Sequence, residues 1–253
     1  MHNQHLHNPH LESGPYFWEA GPIGVFLSHG LTATSAETRL LARNLHTRGF
    51  TVAGPLLAGH GTNPQELSQT RWQDWVASAE ETYQQLAAKC ERVFIGGESM
   101  GGVLALYMAT QHPEAVGVLT YAPAIKLALS RVRITALRLA MPFLFGVPKE
   151  QIDVPDKWQG YPINPLKSGV ELLHMQREVR RRLPQIHQPV LVVQGRHDTT
   201  IAANSGAIIM HGVSSSIKEL HWFEESSHVV ILDKELDHVT ELTVRFMVRA
   251  LGL

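Results

Sequence analysis

The sequence contains a single cysteine, Cys90, among 253 residues. An internal disulfide is therefore impossible, and zinc sites built on two or more thiolates are excluded. A lone thiol also fits a reducing compartment, so a cytoplasmic location is expected. Charge of one sign is lacking too: 22 basic side chains face 23 acidic ones, for a formal net charge of −1. Nucleic-acid proteins need a basic excess or stripe, so no nucleic-acid partner is expected. No apolar run reaches the roughly 18 residues of a membrane span. The opening residues carry no Lys or Arg and no apolar stretch of signal-peptide length. Internal repeats are absent.

Histidine is what the chain has in surplus. There are 15, with four (His2, His5, His7, His10) in the first ten residues. Nothing there fixes a coordination geometry. Residues 1–15 therefore read as a disordered, solvated tail, and no metal or cofactor is expected.

From Tyr16 onward, short apolar runs alternate with amphipathic stretches, the pattern of a mostly parallel sheet flanked by helices. Strands are expected at 24–28, 50–53, 91–96, 116–121, 189–194 and 216–223. Helices are expected over 72–89, 100–112 and 233–251, and another is opened by the capping-box spacing of Thr34 and Glu37 and stops at Gly49. The rhythm breaks over residues 122–188, which are proline-containing, helical in pattern and poor in strands. Residues 16–121 and 189–253 thus form one α/β core, and 122–188 a small helical cap inserted between two of its strands.

The pentapeptide Gly97, Glu98, Ser99, Met100, Gly101 follows the apolar Val93, Phe94 and Ile95 and opens a helix. This is the strand–turn–helix context of a nucleophile elbow. Its central residue occupies a strained turn, and a side chain two residues to either side would strike a neighbouring element. A serine hydroxyl needs a base to take its proton and a carboxylate to orient that base. Of six aspartates, only Asp198 directly follows a convincing strand, at the sheet edge where open α/β folds bind ligands. Asp233 and Asp237 read as first-turn charges of the last helix, and Asp74 as a helix-surface residue.

For the base, His228 follows the last strand by a few residues. The order Ser99, Asp198, His228 is that of nucleophile, acid and base in α/β-hydrolases. His197 sits beside the acid but points elsewhere, His221 lies within a strand, and His174, His187, His211 and His238 read as surface residues. Two backbone N–H groups are needed for an oxyanion hole. Met100, after the nucleophile, supplies one. Leu31, in the loop after the first recognisable strand, supplies the other, with Gly30 permitting close approach. His29 and His60 read as organisers of their glycine-containing loops.

At His29-Gly30, Gly59-His60-Gly61, the Ser99 pentapeptide, the segment 193–198 ending in Asp198, and Ser227-His228, the chain resembles the α/β-hydrolase superfamily. More narrowly it resembles small bacterial carboxylesterases close to monoacylglycerol lipases. The resemblance implies Ser99, His228 and Asp198 as the catalytic triad and Leu31 and Met100 as oxyanion donors. It implies hydrolysis of carboxylic esters through an acyl-enzyme, with no cofactor and a small-molecule ester as substrate. The chain departs from the family at Leu31, where relatives usually carry an aromatic residue, and at Ser227, where they usually carry glycine.

The cap stretch 134–145 is strongly apolar. Apolar burial contributes about 0.8 kcal/mol per methylene, so a lid of this kind favours acyl chains, although the same residues could instead pack the cap onto the core. Arg177, Arg180, Arg181 and Arg182 read as a solvated helix face. The expected activity is that of a serine carboxylesterase on short- to medium-chain acyl esters. A monoacylglycerol lipase is the nearest alternative, and a non-catalytic receptor on a hydrolase scaffold a more distant one.

Overall fold

In the computed structural model, residues 3–149 and 153–253 are described. His2 of the histidine-rich opening and residues 150–152 of the cap lie outside them. The chain runs through β1 (Tyr16–Trp18), β2 (Ile23–Ser28), α1 (Ala36–His46), β3 (Thr51–Gly54), α2 (Pro64–Leu67), α3 (Trp72–Ala87), β4 (Arg92–Glu98), α4 (Met100–Ala109) and β5 (Gly117–Tyr121). The segment expected to form the cap follows with α5 (Arg131–Ala140), β6 (Gly146–Pro148), β7 (Ile163–Pro165) and α6 (Leu166–Arg182). The core resumes with β8 (Val190–Gly195), α7 (Ser205–Gly212), β9 (Lys218–Phe223) and α8 (Leu236–Leu251).

Seven strands form one sheet in the order β1-β3-β2-β4-β5-β8-β9. Only β1 runs antiparallel, against β3; every other pairing is parallel. The central strands explain themselves. Val25, Phe26 and Leu27 in β2, and Val190 to Val193 in β8, are consecutive and buried, which only a sheet covered on both faces permits. The covering helices are amphipathic: α3 turns Trp75, Ala79, Tyr83 and Leu86 inward, and α1 buries Leu41 and Leu45. This is the α/β-hydrolase fold, with a mostly parallel central sheet flanked by helices. Among the described residues, no helix is long and apolar enough to cross a membrane.

Three expectations change. The opening residues are not a free tail. His7 N–H donates to the Gly160 carbonyl at 2.9 Å, and Gln159 Nε2 donates to the carbonyls of Asn8 and Leu11 at 2.7 and 2.9 Å. Leu6 is buried. Residues 3–11 thus strap the return limb of the cap, because their polar groups find backbone partners there. The cap itself is not purely helical: β6 and β7 pair as an antiparallel hairpin, whose three-residue strands leave no periodic signal. Finally, Thr34 and Glu37 do not form a capping box. Ser35 is the N-cap of α1, and the Glu37 carboxylate turns away to Gly30.

Candidate active site

Ser99 follows β4 directly and caps α4 with φ 54° and ψ −113°, a backbone conformation unfavourable for any residue with a side chain. The glycines around it are sterically obligatory. A Cβ on Gly97 would lie 2.4 Å from the Gly101 carbonyl carbon, and one on Gly101 would lie 2.2 Å from the Ser28 oxygen. The turn therefore lifts the Ser99 side chain clear of the sheet edge.

The loops after β8 and β9 bring Asp198 and His228 to it. His228 Nε2 stands 2.9 Å from Ser99 Oγ, and His228 Nδ1 stands 2.8 Å from Asp198 Oδ2. The other Asp198 oxygen accepts the N–H groups of Thr200 and Ile201 at 2.8 and 3.1 Å. A carboxylate so held keeps the Nδ1 proton on its side, which leaves Nε2 free to accept from the serine hydroxyl. Burial by itself pushes the His228 imidazole down. The negative charge of Asp198, then of Glu37 and Asp153, outweighs it and raises His228 above its ordinary 6.5.

The loop after β2 lies against Ser99. Gly30 N–H donates to Glu37 Oε2 at 2.6 Å. The Gly30 carbonyl accepts from His29 Nδ1–H at 2.9 Å and Ala33 N–H at 3.3 Å. His29 Nε2 accepts the Leu57 N–H at 3.1 Å, so His29 is a neutral single tautomer; burial pushes it down to about 4. His60 is buried edge-on against the His29 ring, 4.9 Å between centroids. Burial, and then the proximity of His29, hold it well below 6.5. Both histidines organise loops. Met100 N–H lies in the first turn of α4, where helical amides have no preceding turn to bond. Met100 directly follows Ser99, and Leu31 directly follows Gly30, on which a Cβ would lie 3.2 Å from Ser99 Cβ.

Other sequence candidates lie elsewhere. His174, His187, His197, His211 and His238 are exposed, and His221 pairs with Glu219 at 2.8 Å. Arg181 and Arg182 pair with Glu178, and Arg180, exposed to water, also donates to the Ile125 carbonyl. In the apolar cap stretch, Leu139 and Phe143 point outward, Phe143 with 92% exposure. They do not pack the cap onto the core. A cavity of about 290 Å³ lies between residues 141–145, Ser68, Leu166 and Lys167, away from Ser99.

Several residues near the site carry no sequence signal. Asp153, in the cap, accepts the His228 backbone N–H at 3.1 Å. Asp233 is not a helix charge, because α8 starts only at Leu236; it binds Ser227. Trp158 Nε1–H donates to Glu37 at 3.0 Å. Glu98 is wholly buried, with neither carboxyl oxygen hydrogen-bonded among the described residues. Burial, reinforced by Glu37, Asp198 and Asp153, raises it well above the usual carboxylate range.

Residues 23–160 and 155–235 match the Hydrolase_4 family, described as serine aminopeptidase, S33. The chain belongs to this family. It is 32% identical to a thermostable monoacylglycerol lipase of Bacillus sp. (strain H-257), over 94% of this chain and 95% of that one. It is 33% identical to a carboxylesterase of Bacillus subtilis (strain 168), over 92% and 95%. A solved structure reported with LipS and LipT, two metagenome-derived lipolytic enzymes, superposes with a TM-score of 0.88 at 31% identity, covering 94% of this chain and 98% of that one. This Hydrolase_4 chain therefore sits in the carboxylesterase and monoacylglycerol lipase branch of the α/β-hydrolases.

Proposed function

We propose that this protein is a serine carboxylesterase that hydrolyses short- to medium-chain acyl esters through an acyl-enzyme. The observation that carries the reading is the unbroken line from Ser99 Oγ through the His228 ring to Asp198, with contacts of 2.9 and 2.8 Å. Ser99 Oγ attacks the ester carbonyl carbon while His228 Nε2 takes the hydroxyl proton. The carbonyl oxygen becomes an oxyanion held by the N–H groups of Leu31 and Met100. Asp198 stabilises the imidazolium through Nδ1–H. As the tetrahedral intermediate collapses, His228 returns the proton to the departing alkoxide and leaves an acyl-Ser99. Water, deprotonated by the same Nε2, repeats the attack and releases the acid.

The kinship with a monoacylglycerol lipase supports glycerol as an alternative leaving group. The family description names a peptidase, but the closer kinship is with ester hydrolases. A series of p-nitrophenyl esters of rising acyl length, a monoacylglycerol and an alanine p-nitroanilide separate these readings. Fastest turnover is expected on the butyrate to octanoate esters. Higher kcat/KM on the anilide, or no release of p-nitrophenolate from any ester, would overturn the proposal.

A further inference from the structure

We propose that Glu37 is a positioning residue that presets the oxyanion loop through Gly30, in the ester hydrolysis argued above and resting on that reading. The two peptide groups flanking Gly30 are bound on opposite sides. The preceding one is held at its N–H by Glu37 Oε2, at 2.6 Å. The following one is held at its carbonyl by His29 and Ala33. That second peptide carries the Leu31 N–H. In a trans peptide the carbonyl and the N–H point in opposite directions, so holding the Gly30 oxygen on the His29 side presents the Leu31 N–H on the other.

Glu37 controls where this peptide sits. A Cβ on Gly30 would meet Glu37 Oε2 at 3.1 Å and Ser99 Cβ at 3.2 Å, so Gly30 lies in the gap between the carboxylate and the nucleophile. The carboxylate is in turn aimed by the Trp158 indole N–H at 3.0 Å, and the Trp158 ring carries Lys149 Nζ 4.7 Å from its centroid. Glu37 is buried, and burying a carboxylate costs free energy that only well-placed donors recover. A capping carboxylate would face the first amides of its own helix. This one reaches seven residues back along the chain to Gly30. An oxyanion donor acts through preorganisation, so small displacements reduce the rate without weakening ground-state binding.

The test compares wild-type protein with Glu37→Gln and Trp158→Phe on p-nitrophenyl butyrate. Glutamine keeps the volume but offers one acceptor oxygen for two donors; phenylalanine keeps a ring and removes the indole N–H. The expected kcat falls about tenfold or more for Glu37→Gln and about threefold for Trp158→Phe, with KM within about twofold of wild type. Butylboronic acid, whose tetrahedral adduct on Ser99 places an oxygen at the oxyanion position, should lose affinity by the factor that kcat/KM falls. A merely structural role would lower the melting temperature without this matching loss. Variants within about twofold of wild type, or a fall in kcat without weaker boronate binding, overturn the assignment. If Glu37→Gln does not fold, Trp158→Phe decides on the same two readouts. Wild-type protein that turns over no ester removes the esterase reading itself, which is a different outcome.

Discussion

Asp233 holds Ser227 twice, its Oδ2 accepting both the amide N–H and the hydroxyl, each at 2.7 Å. The residue so pinned immediately precedes His228, and the loop is held from its other side by Asp153 on the His228 N–H. The imidazole thus approaches Ser99 from a backbone tied down at two consecutive amides. Asp233→Ala removes both bonds to Ser227 and leaves its half-buried N–H without this acceptor. The expected cost is about 2 kcal/mol in urea denaturation, with a several-fold lower kcat on p-nitrophenyl butyrate. Unchanged stability would show that the loop holds its shape without this carboxylate.

Ser99 occupies a conformation that glycine adopts freely and other residues do not. Ser99→Ala and Ser99→Gly should both be inactive. They should differ in stability, with the glycine variant more stable than the alanine variant by about 1 kcal/mol. Chemical denaturation of the two variants measures the difference. Residual ester hydrolysis near the wild-type rate in either variant would remove Ser99 as nucleophile.

In the proposed mechanism His228 must be neutral to accept the serine proton, so the rate is expected to rise as pH rises through the His228 pKa. Because neighbouring carboxylates raise that pKa above 6.5 despite burial, the acid limb of the kcat/KM profile should have its midpoint above pH 6.5. Asp153→Asn removes one of the negative charges responsible and should move the midpoint down. A wild-type midpoint at or below 6.5 would show that burial outweighs the carboxylates at His228, and a profile flat from about pH 5 to about pH 8, with chemistry rate-limiting, would contradict its role as base.

Glu98, buried beside the nucleophile, has its carboxyl raised well above the unfolded value of 4.5. The folded protein keeps this proton where the unfolded chain has lost it. The stability associated with the group is whole below about pH 4.5 and declines as pH rises toward the folded pKa. Glu98→Gln, which cannot ionise, should match wild type near pH 4.5 and exceed it in melting temperature at pH 8. A gap that fails to widen between these two pH values would show that Glu98 finds an ionised state at no cost.

Much of the core is legible from local pattern. β2, β4, β5 and β8 appear as uninterrupted apolar runs because both faces of the sheet are covered, and α3 appears through its helical spacing. β1, β6 and β7 are three residues each, too short to show a period, and they exist because partners elsewhere in the chain complete their hydrogen bonds. The opening histidines mislead for the same reason. Composition alone makes residues 3–11 a solvated tail, and it is partners distant in the chain, the carbonyls of Pro155, Trp158 and Gly160 and the side chain of Gln159 among them, that make them a strap.

The site divides along the same line. Ser99 between Gly97 and Gly101 is written into consecutive residues, because the steric demand of the turn falls on immediate neighbours. Asp198 and His228 are marked by their places after strands, since the carboxyl edge of a parallel sheet is where loops converge. Glu37, Asp153 and Trp158 carry no such mark: Trp158 and Glu37 lie 121 residues apart, and Asp153 and His228 lie 75 apart. The sequence by itself determined the parallel strands of the sheet, the glycine-flanked turn and the places of Ser99, Asp198 and His228, through sterics and periodicity that act over a few positions. Only the tertiary structure decided how the Gly30 loop and His228 are held, because a buried carboxylate takes its direction from whichever donors the folded chain brings to it.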